Sequence, residues 1–335
     1  MIFQNIDFHN VAELTRDTDG SYIMHRFPLS VENELQGGQT ANKVTTGVEL
    51  RFKIKSGIAK ITLKNAGEPF TATKIYQYRG SILDSWQNYS FSVSGGEEKT
   101  REISNHGENE LLIKVTEAAD YPFSPKVIRL VLNSTNLRFV KIEGDIEPPS
   151  PEDLPKKKYL AYGSSITHGS QCYAPATTFV SKVASHFKAD ALNKGLAGNC
   201  RLETAVADEI AEMGKRGEWD FCTLCLGINV SNIPAEDFRQ KVRYMLERVV
   251  KSNPEKPIFA ISPIYSRDDM VGKTNLSTFR TVVSEEVERV GCENLHYING
   301  LLLLGGPEGL SGDLVHPSPD GAEIIANNLI KLLTP

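Results

Sequence analysis

The chain has 335 residues, of which 40% are hydrophobic and 24% charged, and carries a formal net charge of -5. That length exceeds one ordinary core and fits two domains of globular composition. Acidic balance excludes nucleic acid as the main partner, because phosphate binding needs clustered positive surface and the one dense basic run is Lys156–Lys158. That run reads as a solvated linker.

MIFQNIDFHNVAEL at the N-terminus lacks the basic start and unbroken apolar stretch of a secretory signal, and no window is long and apolar enough for a membrane-spanning helix. The expectation is therefore a cytoplasmic protein with no membrane partner. Five cysteines, an odd number confined to the second half, fit reduced thiols. Cys222 and Cys225 have CxxC spacing but lie in the apolar run WDFCTLCLG, where a strand would turn them to opposite faces. No second such pair completes a zinc site, so both read as core. Without secretion, the glycosylation triplets at Asn88, Asn133 and Asn275 carry no modification.

Up to about residue 145 the period is two. GVELRFKIKSG (47–57) sets Leu50, Phe52 and Ile54 against Arg51, Lys53 and Lys55, the pattern of a half-buried strand. IAKITLKN, TKIYQYRG, NYSFSVSG, KVIRLVLN and LRFVKIEG repeat it, and no helix-period segment of useful length intervenes. Short alternating strands in series predict an antiparallel β-sandwich of jelly-roll type over residues 1–147. The four prolines of IEPPSPEDLPKKK mark a stiff linker over 148–157.

From 158 to 335 the pattern changes. Apolar runs KYLAYG, ADALNKG, WDFCTLCLG, KPIFAISP and ENLHYIN alternate with amphipathic segments, the last being PDGAEIIANNLIKLL. This predicts an α/β domain: a parallel sheet buried between helix layers, flavodoxin-like and three-layered. In such sheets ligands bind beyond the carboxyl ends of the strands.

Four of those ends hold suggestive residues. Gly163-Ser164-Ser165 places hydroxyls at a tight turn before a helix, either as caps or as a nucleophile. NKGLAGN (193–199) offers the backbone N–H groups of Gly195 or Gly198 to an oxyanion, or is an ordinary turn. Asn229 is a side-chain donor at the third end or a turn residue. Asp313 and His316 lie three apart on one loop, close enough for the carboxylate to hold the imidazole N–H. Ser318, with Pro319 after it, caps the final helix and anchors that loop.

GSSIT, NKGLAGN, GIN and DLVHP, in this order, resemble blocks I, II, III and V of the SGNH (GDSL-type) hydrolase family over roughly residues 156–335. The resemblance implies Ser165 as nucleophile, with Asp313 and His316 completing the triad. It implies an oxyanion hole from the Ser165 N–H, Gly198 and Asn229. Family members commonly read GDS where this chain has Gly163-Ser164-Ser165, so Ser164 replaces an aspartate, and its hydroxyl is expected to bond the turn backbone. The chemistry implied is two-step acyl transfer without metal or cofactor.

A β-sandwich ahead of such a domain resembles carbohydrate esterases. The expected function is hydrolysis of small acyl esters, acetyl above all, of carbohydrates or other small polar molecules, with a small-molecule or oligosaccharide ester as partner. An acyltransferase, a thioesterase or a non-catalytic sugar binder are the alternatives, and homo-oligomers stay open. His168, Tyr265 and Arg267 are candidate substrate contacts on the active edge. Tyr76, Tyr78, Trp86 and Tyr89 offer either a sugar platform or sandwich core.

Overall fold

The computed structural model describes residues 1–105, 110–134, 136–272 and 275–335, so Thr135 of the Asn133 triplet lies outside the described residues. Two compact units divide the chain. One comprises Met1–Leu29, Asn42–Lys156 and Lys188–Asp190, the other Ser30–Ala41, Lys157–Phe187 and Ala191–Pro335.

Among the described residues, the first unit is an antiparallel sheet of eleven strands folded into a β-sandwich. The two runs read separately as GVELRFKIKSG and IAKITLKN form one strand of 18 residues, Val48–Asn65. Its first half pairs with Val127–Leu132 and its second with Glu98–Ser104, while Leu137–Glu147 follows it along most of its length. A glycine there bends the strand without ending it. Gly57 sits at φ +70°, and Gly144, bulged on the partner strand, sits at φ +132° where a Cβ would lie 2.7 Å from the Ile58 carbonyl. Leu50, Phe52, Ile61, Leu63 and Phe139 fill the core, with Phe8 and Phe139 meeting edge to face at 5.0 Å.

Two sequence expectations change here. A nine-residue helix, Glu110–Ala118, interrupts the strands; it buries only Thr116, and at about two and a half turns it is too short for its period to stand out. The polar face of the long strand is also only partly solvated: Lys55 and Lys60 are exposed, whereas Glu49 and Arg51 are buried. Arg51 is 1% exposed. Its guanidinium spans both oxygens of Asp190 at 2.7 and 2.6 Å and reaches Glu49 at 2.8 Å, while Arg129 donates to the same Glu49 oxygen at 2.7 Å. Burial pushes the Glu49 carboxyl up, but the charges of Arg129 and Arg51 outweigh it and hold the group well below the usual carboxylate range. Alternation alone could not show this, because the partner acid is 139 positions from Arg51.

Among the described residues, the second unit carries five parallel strands: Lys157–Gly163, Ala189–Gly195, Phe221–Cys225, Ile258–Ile261 and Leu295–Ile298. Their spatial order is second, first, third, fourth, fifth, the flavodoxin-like arrangement. Helices Phe179–His186, Thr204–Lys215, Ala235–Ser252, Leu276–Val290 and Pro319–Leu332 come from the amphipathic segments. The first strand begins at Lys157, so two lysines of the basic run belong to the sheet. Asp220 accepts the Lys158 N–H at 2.8 Å. Cys222 is fully buried and Cys225 half-buried within one strand.

Ser30–Ala41 falls within the expected first domain by sequence yet clusters with the second unit. It runs between two single-turn helices, Leu29–Glu32 and Gln39–Asn42, and is tied by the Gln36 N–H to Glu203 at 3.3 Å. A contact spanning 167 positions leaves no local trace. Among the described residues no helix is long and apolar enough to cross a membrane.

Arg51→Ala would leave Glu49 and Asp190 buried with a charge removed from between them. It is expected to destabilise the protein by about 3–5 kcal/mol, read as a lower urea midpoint for sandwich unfolding; an unchanged midpoint would show that the network contributes nothing.

Candidate active site

The first parallel strand ends at Gly163, and the chain turns at once into the four-residue helix Ser165–His168. Ser164 is its N-cap, with Oγ accepting the Ile166 N–H at 3.3 Å, so this hydroxyl is engaged with the turn. Gly169, at φ +97°, ends the helix. Ser165 is thereby held at the first helical position, 7% exposed.

The second strand's end is locked to this helix through Asn193. Its Nδ2 donates to the Thr167 carbonyl at 2.8 Å and its Oδ1 accepts the Gly195 N–H at 2.9 Å. The two candidate glycines therefore differ. Gly195 has spent its N–H, and a Cβ there would lie 2.4 Å from the His168 backbone nitrogen, so its lack of a side chain permits close packing. Gly198 sits at φ +70° with open space around it, and its N–H takes no partner among the described residues. The Leu196 N–H on the Gly163 carbonyl at 2.8 Å ties this loop to the strand that ends just before Ser165.

Gly227, at φ +113°, ends the third strand and starts the single turn Ile228–Val230. The Cys200 N–H donates to Asn229 Oδ1 at 3.0 Å. A backbone N–H can only donate, so the Asn229 oxygen faces it and the amide NH₂ points elsewhere. Asn229 is thus set as a donor by a residue two positions after Gly198.

The fourth piece is the loop before the last helix. His316 Nδ1 lies 2.6 Å from Asp313 Oδ2, and His316 Nε2 lies 2.7 Å from Ser165 Oγ. Asp313 Oδ1 accepts the Val315 and His316 N–H groups, both at 2.9 Å, and the Ser311 hydroxyl at 3.0 Å. Desolvation pushes the Asp313 carboxyl up, but the His316 N–H, the imidazole, the Val315 N–H and the Ser311 hydroxyl together hold it well below the ordinary range. The carboxylate stays ionised and fixes which imidazole nitrogen carries the proton.

What holds this loop is mostly main chain. Leu314, between the acid and the imidazole, adopts φ +57°, and its carbonyl accepts the Arg267 N–H at 2.7 Å. Ser318 caps the helix Pro319–Leu332 by accepting the Gly321 N–H at 3.1 Å while donating to the Gly309 carbonyl at 3.1 Å. Arg267 therefore meets the site through its backbone; its side chain is 61% exposed beside Asp268. Tyr265 is half-buried, with its N–H on the Leu304 carbonyl at 2.9 Å. His168 is buried on the short helix, its backbone against Gly195.

The aromatic set of the sandwich belongs to the first unit. Tyr76, Tyr78 and Tyr89 are half-buried, whereas Trp86 is 86% exposed, its ring 6.4 Å from that of Tyr89. The residues that sequence reasoning missed are Asn193, Cys200, Ser311 and the Arg267 amide. Asparagine two residues before a strand-end glycine was the one readable signal; backbone donors carry none.

Chemically, the arrangement presents a hydroxyl to an imidazole nitrogen and the imidazole's other nitrogen to an ionised carboxylate. Donors stand at the neighbouring strand ends. Such an arrangement can take a proton from a serine hydroxyl and offers donors to an oxyanion.

The family model described as GDSL-like Lipase/Acylhydrolase matches residues 156–334. No curated protein matches the sequence. Among solved structures, a salicylyl-acyltransferase, SsfX3, from a tetracycline biosynthetic pathway is 19% identical with a TM-score of 0.76, covering 97% of this chain and 93% of that one. A family two carbohydrate esterase from Cellvibrio japonicus is 11% identical with a TM-score of 0.63, covering 98% and 94%. An acetyl xylan esterase, Est2A, from the rumen bacterium Butyrivibrio proteoclasticus is 13% identical with a TM-score of 0.58, covering 99% and 96%. At these identities the likeness is one of fold, and it extends over both units.

The two glycines are separable by experiment. Gly198→Ala meets no atom and carries only the left-handed backbone cost, about 1–2 kcal/mol, so it is expected to fold with a modestly lower melting temperature. Gly195→Ala drives a methyl group into backbone and is expected to yield little folded protein; equal behaviour of the two would contradict the assignment.

Proposed function

Since the chain belongs to the GDSL-like lipase/acylhydrolase family, we propose that it is a serine esterase acting on small acyl esters of carbohydrates or other small polar molecules. The observation that carries this reading is the hydrogen-bonded line Ser165–His316–Asp313, at 2.7 and 2.6 Å. His316 Nε2 takes the Ser165 proton as Oγ attacks the ester carbonyl carbon. Negative charge collects on the carbonyl oxygen, which the Ser165 and Gly198 N–H groups and the Asn229 amide receive. The tetrahedral intermediate collapses, the C–O bond to the alcohol breaks, and His316 returns the proton to the departing oxygen. Water then attacks the acyl-serine with His316 again as base, releasing the acid and restoring the hydroxyl.

Likeness in fold to carbohydrate esterases over both units supports a sugar ester as substrate. One observation favours a second reading. The salicylyl-acyltransferase shares the fold with a TM-score of 0.76, and the same acyl-serine can be taken up by an alcohol acceptor instead of water. Acyl product formed from p-nitrophenyl acetate plus a sugar or alcohol, in place of free acetate, would identify that activity.

Hydrolysis of p-nitrophenyl acetate decides the main reading. Ser165→Ala is expected to lose roughly a thousandfold or more in kcat. Ser164→Ala, which removes only a cap, is expected to lose about tenfold at most. Equal losses would reverse the assignment, and a wild type that releases no p-nitrophenol from any ester would remove the esterase claim. Asn229→Ala is expected to lower kcat by about a hundredfold to a thousandfold, with KM little changed, if its amide serves the oxyanion.

A further inference from the structure

The donor on the second strand's loop belongs to one peptide unit, the one joining Ala197 to Gly198. The Asn199 N–H donates to the Leu196 carbonyl at 3.0 Å, which closes a four-residue turn. Gly198 sits in it at φ +70° while Ala197 keeps a negative φ, so the turn is of type II. A type I turn joins the same two ends with the central peptide rotated by about 180°. In that form the Ala197 carbonyl would stand where the Gly198 N–H now stands, and would repel an oxyanion instead of binding it.

One side chain opposes that rotation. Asn199 Nδ2 donates to the Ala197 carbonyl at 2.9 Å. A carbonyl oxygen can only accept, so the NH₂ of the Asn199 amide faces it. In a trans peptide the C=O and N–H point in opposite directions, and a bond that fixes the oxygen fixes the hydrogen as well. The Gly198 N–H itself takes no partner among the described residues and has open space around it. Donation to the carbonyl also polarises the peptide, which strengthens its N–H as a donor.

The group that aims the other donor lies just beyond. In the peptide joining Asn199 to Cys200, the carbonyl accepts the Arg201 N–H at 3.0 Å and the N–H donates to Asn229 Oδ1 at 3.0 Å. Asn199 thus stands between the two donors. It is seated in turn by a strap from early in the sequence, Gln36–Gly38, which clusters with the same unit. A Cβ on Gly37 would lie 3.5 Å from Asn199 Oδ1, and one on Gly38 would lie 3.5 Å from Asn199 Cβ, so the strap's backbone lies against this side chain. Glu203, 6% exposed, holds the strap by accepting the Gln36 N–H at 3.3 Å.

We propose that Asn199 is a positioning residue for the oxyanion hole: through the Ala197 carbonyl it keeps the Gly198 N–H turned toward the oxygen of the carbonyl that Ser165 attacks. It acts through the peptide and needs no contact with substrate. The inference rests on the reading of Ser165 as nucleophile and Gly198 as oxyanion donor.

The test uses two variants whose folding is checked by melting temperature. Asn199→Asp keeps the shape of the side chain but sets an acceptor against the Ala197 carbonyl, and Asn199→Ala only removes the bond. Hydrolysis of p-nitrophenyl acetate is followed beside inhibition by phenyl trifluoromethyl ketone. Ser165 Oγ adds to that ketone's carbonyl carbon, the C=O π pair moves onto oxygen and the serine proton passes to His316, so the adduct places an oxyanion in the hole without a leaving group. Each variant is expected to lose about tenfold to a hundredfold in kcat with KM little changed, and to bind the ketone more weakly by a similar factor. The pH profile of kcat/KM in Asn199→Ala is expected to keep the wild-type shape, because the Ser165–His316–Asp313 line is untouched.

Wild-type kcat and ketone affinity in the folded variants would overturn the role of Asn199 and leave the esterase reading standing. A rise in KM at unchanged kcat would also overturn it, by making Asn199 a substrate contact. Should one variant fail to fold, the other decides; if neither folds, Asn199 serves the fold and not the aim of the peptide, and the inference fails. A wild type that binds the ketone but turns over no ester removes the esterase reading, while weaker ketone binding in the variants still upholds the inference. Inertness toward both ester and ketone overturns the two together.

Discussion

The 2.7 Å hydrogen bond between His316 Nε2 and Ser165 Oγ joins groups 151 positions apart, and the chemistry proposed for the second unit depends on it. An imidazole at that distance must be aimed within a few tenths of an ångström to take a proton. The aim is set outside the ring. Asp313 holds one nitrogen of it, the left-handed turn at Leu314 sets the angle of the loop, and the Arg267 amide, at the start of the short helix Arg267–Val271 after the fourth strand, pins that turn. Ser318 then anchors the far side of the loop to the last helix.

The same device recurs at each strand end. Loops carry the reactive groups, and hydrogen bonds to neighbouring main chain hold the loops. Asn193 joins the second strand to the short helix Ser165–His168, Cys200 turns the Asn229 amide, and Leu196 binds back to Gly163. A loop left to itself samples many conformations, and its ordering entropy must be met by bonds of this kind. Because the strands are parallel and adjacent, their carboxyl ends stand within reach of one another, so short cross-ties suffice. Arg280 extends the pattern to the fourth strand, where one buried guanidinium organises two carbonyls and a carboxylate.

Much of the fold was legible from residue order alone. Period-two runs marked the sandwich strands, the proline cluster marked the passage to the α/β unit, and apolar runs alternating with amphipathic helices marked five parallel strands. These are local patterns, and burial of one face or two is what produces them. Where local pattern and contact diverge, the reading stopped. The continuity of Val48–Asn65 through Gly57, the buried charges of Arg51 and Glu49, the helix Glu110–Ala118 and the clustering of Ser30–Ala41 with the second unit all depend on partners far along the chain or on signals too short to register.

The candidate site divides the same way. Ser165, Asn229, Asp313 and His316 announce themselves by residue type, because only a few side chains can attack, donate or carry a proton, and the strand–turn–helix context tells where they stand. Residue type also placed the caps at Ser164 and Ser318. Distance and orientation belonged to the tertiary structure; the family resemblance already pointed to Gly198 rather than Gly195, but the physical reason for that choice is tertiary. Backbone N–H groups are the same in every residue but proline, so which of them is spent and which is free is written nowhere in the sequence; it follows only once the chain has brought Asn193 against Gly195 and left Gly198 open.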